Sequence, residues 1–124
     1  MSENLTGFTF HLVPINYYKA QPEEQDYIPE PVAEGRENFI HCTNGYDNLV
    51  EAGNRYYVKD SRAYYAIVIN LAKVKAPVKY EDPGKIFPHI YGALNREAIE
   101  EIRLVERDPA GFFLPSNYTG ERKP

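Results

Sequence analysis

Phe87-Pro88-His89-Ile90-Tyr91-Gly92-Ala93-Leu94 sets an extended backbone around a histidine. Pro88 fixes its own φ and pushes Phe87 out of the helical region. Strand alternation then places Phe87, His89 and Tyr91 on one face and Pro88, Ile90 and Gly92 on the other. A titratable imidazole between two aromatic rings is the composition of a pocket wall.

Working outward, residues 78–81 form a short strand after Pro77, and Asp82-Pro83-Gly84 forms a turn. Residues 64–71 are the most apolar stretch, with Tyr65, Ile67 and Ile69 facing one way and Ala66 and Val68 the other. They read as a central strand buried on both faces. After the histidine strand, Asn95 caps a one-turn helix. Residues 99–105 make the last strand, with Ile102 and Leu104 inward and Glu101, Arg103 and Glu106 toward water. Upstream, Asn38-Phe39-Ile40-His41-Cys42-Thr43 places Phe39 and His41 on one strand face and Ile40 and Cys42 on the other. Thr43 is positioned to cap a helix over residues 46–57, which carries Leu49, Ala52, Gly53 and Tyr56 at helical spacing. His41 then ends a strand just before a helix N-terminus. That place suits either anion binding or an ordinary hydrogen-bonded joint.

Residues 8–13 are a first strand stopped at Pro14, on which His11 shares a face with Thr9 and Val13 and reads as a packed or rim histidine. Pro22, Pro29 and Pro31 punctuate residues 14–36. A short helix over 15–20, an extended piece at 27–29 and a turn or short helix at 32–35 are expected there. This irregular segment borders a site or is a solvated connection. Residues 1–7 read as a loose tail. From Asp108 the chain is rich in Pro and Gly, with Phe112, Phe113 and Leu114 fastening it to the body and disorder expected after Pro115. Several short strands with few short helices define an α+β class with a small mixed β core. One domain over residues 8–107 is followed by a partly disordered extension over 108–124.

Composition narrows the function classes. With 124 residues, 43% of them hydrophobic, the chain supports one modest core. Eighteen acidic against 14 basic side chains give a net charge of −4, and no Lys/Arg run marks a nucleic-acid footprint. No apolar run is long enough to span a bilayer. The polar start Met1-Ser2-Glu3-Asn4 lacks a signal core, so the expected compartment is the cytoplasm. One cysteine excludes an internal disulfide. Eleven tyrosines and no tryptophan point mainly to tyrosine-rich core packing.

Among chemistries, metal binding is disfavoured, since His41 and Cys42 are adjacent and point to opposite strand faces, and no Cys-x-x-Cys or His-x-x-x-His spacing exists. The same geometry weakens Cys42 as a nucleophile beside His41 and favours a buried, inert thiol. The glycines are isolated and form no phosphate loop. What remains is a constellation of His41, His89, Tyr91, Glu81 and the helix end Asn54-Arg55-Tyr56-Tyr57. If the two histidine strands are neighbours, Phe39, His41, Phe87, His89 and Tyr91 line one cleft. Rings, imidazoles, a carboxylate and the Arg55 guanidinium suit a small polar ligand, with or without a phosphate.

Phe39-Ile40-His41-Cys42-Thr43, Asn54-Arg55-Tyr56-Tyr57 and Phe87-Pro88-His89-Ile90-Tyr91-Gly92-Ala93-Leu94, in this order, resemble the family known as domain of unknown function 952. Its pattern has a Gly-Phe-Ile-His-Cys-Ser block, an Asn-Arg-Tyr block, a short strand ending in Glu and a Phe-Pro-His-x-Tyr-Gly-Pro-Leu block. Residues 78–81 fit the Glu-ended strand, and the resemblance covers roughly residues 8–104. Asn38, Thr43 and Ala93 depart from the pattern at positions of Gly, Ser and Pro. The family has no settled activity, and its fold is thought similar to that of the ADP-ribosyltransferase superfamily. The resemblance therefore implies a split, mixed β core with a cleft for NAD or a related nucleotide. It implies His41 at the ribose, Tyr56 or Tyr57 stacked on nicotinamide, and Glu81 as the carboxylate that stabilises an oxocarbenium ion. The candidate catalytic residues are thus His41, His89 and Glu81. The candidate ligand-binding residues are Phe39, Thr43, Arg55, Tyr56, Tyr57 and Tyr91, with no metal. Two further expectations stand beside ribosyl-transfer chemistry. One is a non-catalytic module that binds a small ligand or a protein partner in the same pocket. The other is a set of structural histidines satisfied by buried hydrogen bonds.

Overall fold

The computed structural model describes residues 7–114 and 119–122. In chain order the elements are β1 (Phe8–Pro14), α1 (Ile15–Ala20), α2 (Glu30–Ala33), β2 (Ile40–His41), α3 (Tyr46–Tyr56), β3 (Tyr64–Asn70), β4 (Val78–Tyr80), β5 (Pro88–Ile90), β6 (Ile99–Leu104) and β7 (Thr119–Arg122). Single 3-10 turns occupy Leu71–Lys73 and Arg96–Ala98. The strands form two sheets, ordered β1-β3-β6-β7 and β2-β5-β4. The chain is therefore α+β with a split β core, and every pairing among the named strands is antiparallel.

β3 holds the larger sheet together. It pairs with β1 along its full length and with β6 on its other side, and Tyr64, Tyr65, Ala66, Ile67, Val68 and Ile69 are all buried. Side chains of opposite parity on this strand enter two different cores. Tyr65, Ile67 and Ile69 meet Ile40, Cys42, Ile90 and Leu94, so the smaller sheet covers that face. Ala66 and Val68 meet Phe10, Leu49 and Val50, so α3 covers the other. The result is three layers, with small sheet, large sheet and helix in order.

Several local expectations are corrected. Thr43 does not cap α3. The N-cap is Gly45, at φ 84° and without a side-chain cap bond, and α3 ends at Tyr56 with Tyr57 as C-cap. Thr43 is instead held by backbone hydrogen bonds in both directions with Phe10, at 2.8 and 2.9 Å. The inward face of α3 runs through Leu49, Val50 and Gly53, while Tyr56 is 70% exposed. On β6 the pairing shifts register between Val68 and Ile69, so that Ile69 faces Ile99 and Val68 faces Glu101. Ile99 and Ile102 therefore both pack on the inter-sheet core, although they are three residues apart. Arg103 is buried beneath a 5.4 Å contact with the Phe10 ring and bonded to Glu101 at 3.0 Å, whereas Leu104 is exposed. Of the three residues expected to fasten the C-terminal segment, Phe113 is buried, Phe112 is exposed and Leu114 lies between. Of the loose tail expected over residues 1–7 only Gly7 is described, and the disorder expected at 116–118 and 123–124 lies outside the described residues. Thr119–Arg122, also expected to be disordered, pair with β6.

Candidate functional site

β2 and β5 are adjacent, and His41 stands directly opposite His89 in the register. Their rings meet edge to face with centroids 5.5 Å apart. Lys79 continues the row on β4. Alternation then decides which residues anchor and which face out. Ile40, Cys42, Pro88 and Ile90 are buried, while His41 and His89 retain 55% and 17% side-chain exposure. Phe39 stacks on His89 at 3.9 Å and 19° and lies 4.6 Å from His41 and 5.2 Å from Tyr91.

Each imidazole is held by one carboxylate through one nitrogen. His41 donates from Nε2 to Glu37 at 2.8 Å, and His89 donates from Nδ1 to Glu81, also at 2.8 Å. Tyr91 donates its hydroxyl to the same Glu81 oxygen. These two hydrogen bonds, the Tyr91 bond foremost, hold the Glu81 carboxyl below the usual carboxylate range, and Glu81 in turn raises the Tyr91 phenol. His41 Nδ1 and His89 Nε2 have no hydrogen-bond partner among the described residues.

These groups open onto a cleft of about 830 Å³. It is lined by Phe39, His41, Thr43, Arg55, Tyr56, Tyr57, Glu81 and His89, so eight of the nine candidate residues share it. Tyr91 is the exception and works from behind, on Glu81, with the Lys79 ammonium 4.9 Å from its ring centre. Thr43 lies in the wall but is buried, its backbone committed to Phe10. Tyr57 is half-buried with its ring 5.5 Å from Tyr64. Tyr56 presents a free ring. Glu37 was not legible as a site residue; its only signal is an acidic residue four positions before a histidine.

Carboxylates outnumber guanidinium groups in the lining, but nearly all are already engaged. Arg62 bonds Asp60 and Glu30, and Asp82 accepts from the backbone N–H groups of Ile86 and Phe87. Glu37 and Glu81 hold the histidines. Arg36 is paired with Glu34. Arg55 makes no hydrogen bond or ion pair among the described residues, not even with Glu51 one helical turn before it. Among the described residues, one cation of the lining therefore faces the cleft without a partner.

Cys42 points away from His41 into the inter-sheet core, and burial pushes its thiol far up. Among the described residues no group of three or more His, Cys, Asp or Glu side chains is arranged to hold a metal ion. No helix among them is long and apolar enough to cross a membrane.

A two-sheet α+β domain, with its smaller sheet presenting two carboxylate-held histidines to an open cleft, is the class these features define. The chain belongs to the family described as a protein of unknown function (DUF952), whose sequence profile matches residues 12–102. Solved structures of protein CC0527 from Caulobacter crescentus and of a double mutant of it share the fold. Each has a TM-score of 0.64 at 16% identity, covering 86% of this chain and 93% of the other. No curated protein matches the chain.

Proposed function

We propose that the protein binds NAD or a related nucleotide in the His41/His89 cleft. The observation that carries this reading is Arg55, unpaired among the described residues, in the same cleft as two imidazoles with free nitrogens, the exposed ring of Tyr56 and the half-buried ring of Phe39. A guanidinium suits phosphate, an aromatic face suits a base, and imidazole nitrogens suit ribose hydroxyls. The volume lies within the range of about 300–1,000 Å³ common to small-molecule sites. In the ribosyl-transfer form of this reading, Glu81, fixed by two hydrogen bonds, supplies the carboxylate that stabilises an oxocarbenium ion. Tyr56 is the better candidate for stacking on nicotinamide, because Tyr57 is packed against Tyr64.

A second reading, a non-catalytic module for a small ligand, rests on the same hydrogen bonds, since they stiffen a pocket wall whether or not any bond is broken. Calorimetric titration of NAD, ADP-ribose and AMP into wild type, His41→Ala and Tyr56→Ala tests the common ground. Binding that weakens in both variants, with melting temperatures retained, is the expected result. No heat with any of the three at millimolar concentration sinks the nucleotide reading. A collapse of stability in His41→Ala makes that histidine structural.

A further inference from the structure

We propose that His41 and His89 act as a general base and general acid on a phosphodiester held between them, so that the protein hydrolyses a nucleoside cyclic phosphate. The inference rests on the nucleotide reading above and deepens it by assigning a substrate class and a reaction.

The geometry is that of a matched pair. The two rings lie 5.5 Å apart across adjacent strands. Each spends one nitrogen on a carboxylate, which fixes the tautomer: His41 carries its proton on Nε2 and His89 on Nδ1, toward Glu37 and Glu81. The other nitrogen of each ring is left for a reacting group. With ring centres this near, a phosphodiester at the cleft mouth would offer one oxygen to each ring's unbonded nitrogen, the contact that proton transfer needs. Cleavage of a phosphodiester is a reaction that needs one proton removed and one delivered at a single centre. Arg55 supplies the positive charge a phosphodiester requires, and Phe39, stacked on His89, limits that ring's rotation. A purely structural role accounts less well for two exposed-side imidazoles each ordered by its own acid. The buried His11, by contrast, uses both nitrogens on protein partners.

The step balances with water as the only co-reactant. His41, the more exposed of the two, takes a proton from water at Nδ1 as the water oxygen forms a bond to phosphorus. The bond from phosphorus to the ribose 2′ oxygen breaks, and its electron pair stays on that oxygen. That oxygen takes a proton from Nε2 of protonated His89. The product is a nucleoside phosphate monoester, and both rings return to their starting states by proton exchange with solvent.

The test incubates the full chain with adenosine 2′,3′-cyclic phosphate and follows the monoester by phosphorus NMR, beside calorimetric titration with AMP. Turnover by wild type is expected, with His41→Asn and His89→Asn each losing about 10²–10⁴-fold while AMP affinity changes less than tenfold. Binding of AMP with no hydrolysis overturns the acid–base assignment and leaves the nucleotide reading standing. Neither binding nor hydrolysis overturns both. Hydrolysis undiminished in the two variants overturns the assignment. Release of nicotinamide from NAD, with the cyclic phosphate untouched, overturns it in favour of ribosyl transfer.

Discussion

Acidification from pH 7 to pH 4 destabilises this fold through His11, and His11→Asn removes that part of the response. His11 sits on β1, buried at the back of the cleft. Its Nδ1 lies 2.7 Å from the His41 carbonyl and its Nε2 lies 2.9 Å from the Tyr27 hydroxyl. A carbonyl only accepts, so the proton is on Nδ1, and the Tyr27 hydroxyl donates to the bare Nε2. The neutral ring thus satisfies both neighbours, and a second proton would meet the Tyr27 hydrogen in a buried site. Burial is the main cause that lowers the imidazole from 6.5 to about 4. The bond to the His41 carbonyl opposes this, and the nearby His41 ring adds to it.

The sign follows from proton counting. Between these two values the unfolded chain holds the proton and the folded chain does not, so stability falls as pH falls. The contribution is complete above 6.5, and its loss levels off below about 4. At about 1.4 kcal/mol per pH unit the total comes to about 3 kcal/mol. Asp60, Glu81 and Asp82 are also held below the usual carboxylate range, but the stability they add is lost in the more acidic window below about 4. Urea melts of wild type and His11→Asn across pH 7 to 4.5 make the measurement, and the difference between the two proteins isolates His11 from the other histidines. Asn keeps a donor for the His41 carbonyl and leaves Tyr27 unpaired. The variant therefore starts about 1–3 kcal/mol less stable at pH 7 but has the shallower slope. Equal slopes in the two proteins refute the reasoning.

Three further substitutions test the layers. Ile67→Ala removes a fully buried side chain from the middle of β3 and costs about 2–5 kcal/mol in urea melts; a nearly neutral result would mean that β3 is not the central strand. Phe113→Ala costs about 3–5 kcal/mol, because the ring is buried against Tyr64, whereas exposed Phe112→Ala stays within about 0.5 kcal/mol. Equal effects of the two would show that residues 108–114 do not pack on the helix-side core.

The parts legible in the sequence are those where one local signal dominates. Residues 64–69 are apolar on both parities, which leaves a doubly covered strand as the economical solution. The alternation around Pro88 and around His41 places both imidazoles on outward faces, as found. Strand pairing is a long-range property, and no residue pattern told that β2 lies against β5. The errors have the same origin. A period of two puts Leu104 on the face of Ile102, and the register opposite Tyr65 and Ile67 keeps it there, but the end of the strand runs out of cover and leaves it exposed. Thr43 has the chemistry of a helix cap, yet its backbone was taken by Phe10, a residue 33 positions earlier. Glu37 became a partner of His41 because the chain between α2 and β2 folds back onto the strand, which composition does not encode.

How a two-residue strand can carry a functional histidine is answered by its neighbours. β2 has only Ile40 and His41, too short to be rigid by its own ladder. Ile40 and Cys42 sink into the inter-sheet core on either side of His41, and the Thr43 backbone ties to β1 through Phe10. His11 reaches across from the larger sheet to hold the His41 carbonyl itself. The side chain that faces the cleft is thus fixed by backbone and core contacts made behind it, and Glu37 only has to orient the ring. The division lets the outward face of β2 change without loss of fold, while disturbance of His11 or Tyr27 reaches the cleft through the backbone of His41. His11→Ala, which leaves the His41 carbonyl without its donor, is accordingly expected to move the His41 ring relative to His89 in a crystal structure, whereas Glu37→Ala frees the ring and leaves the strand in place.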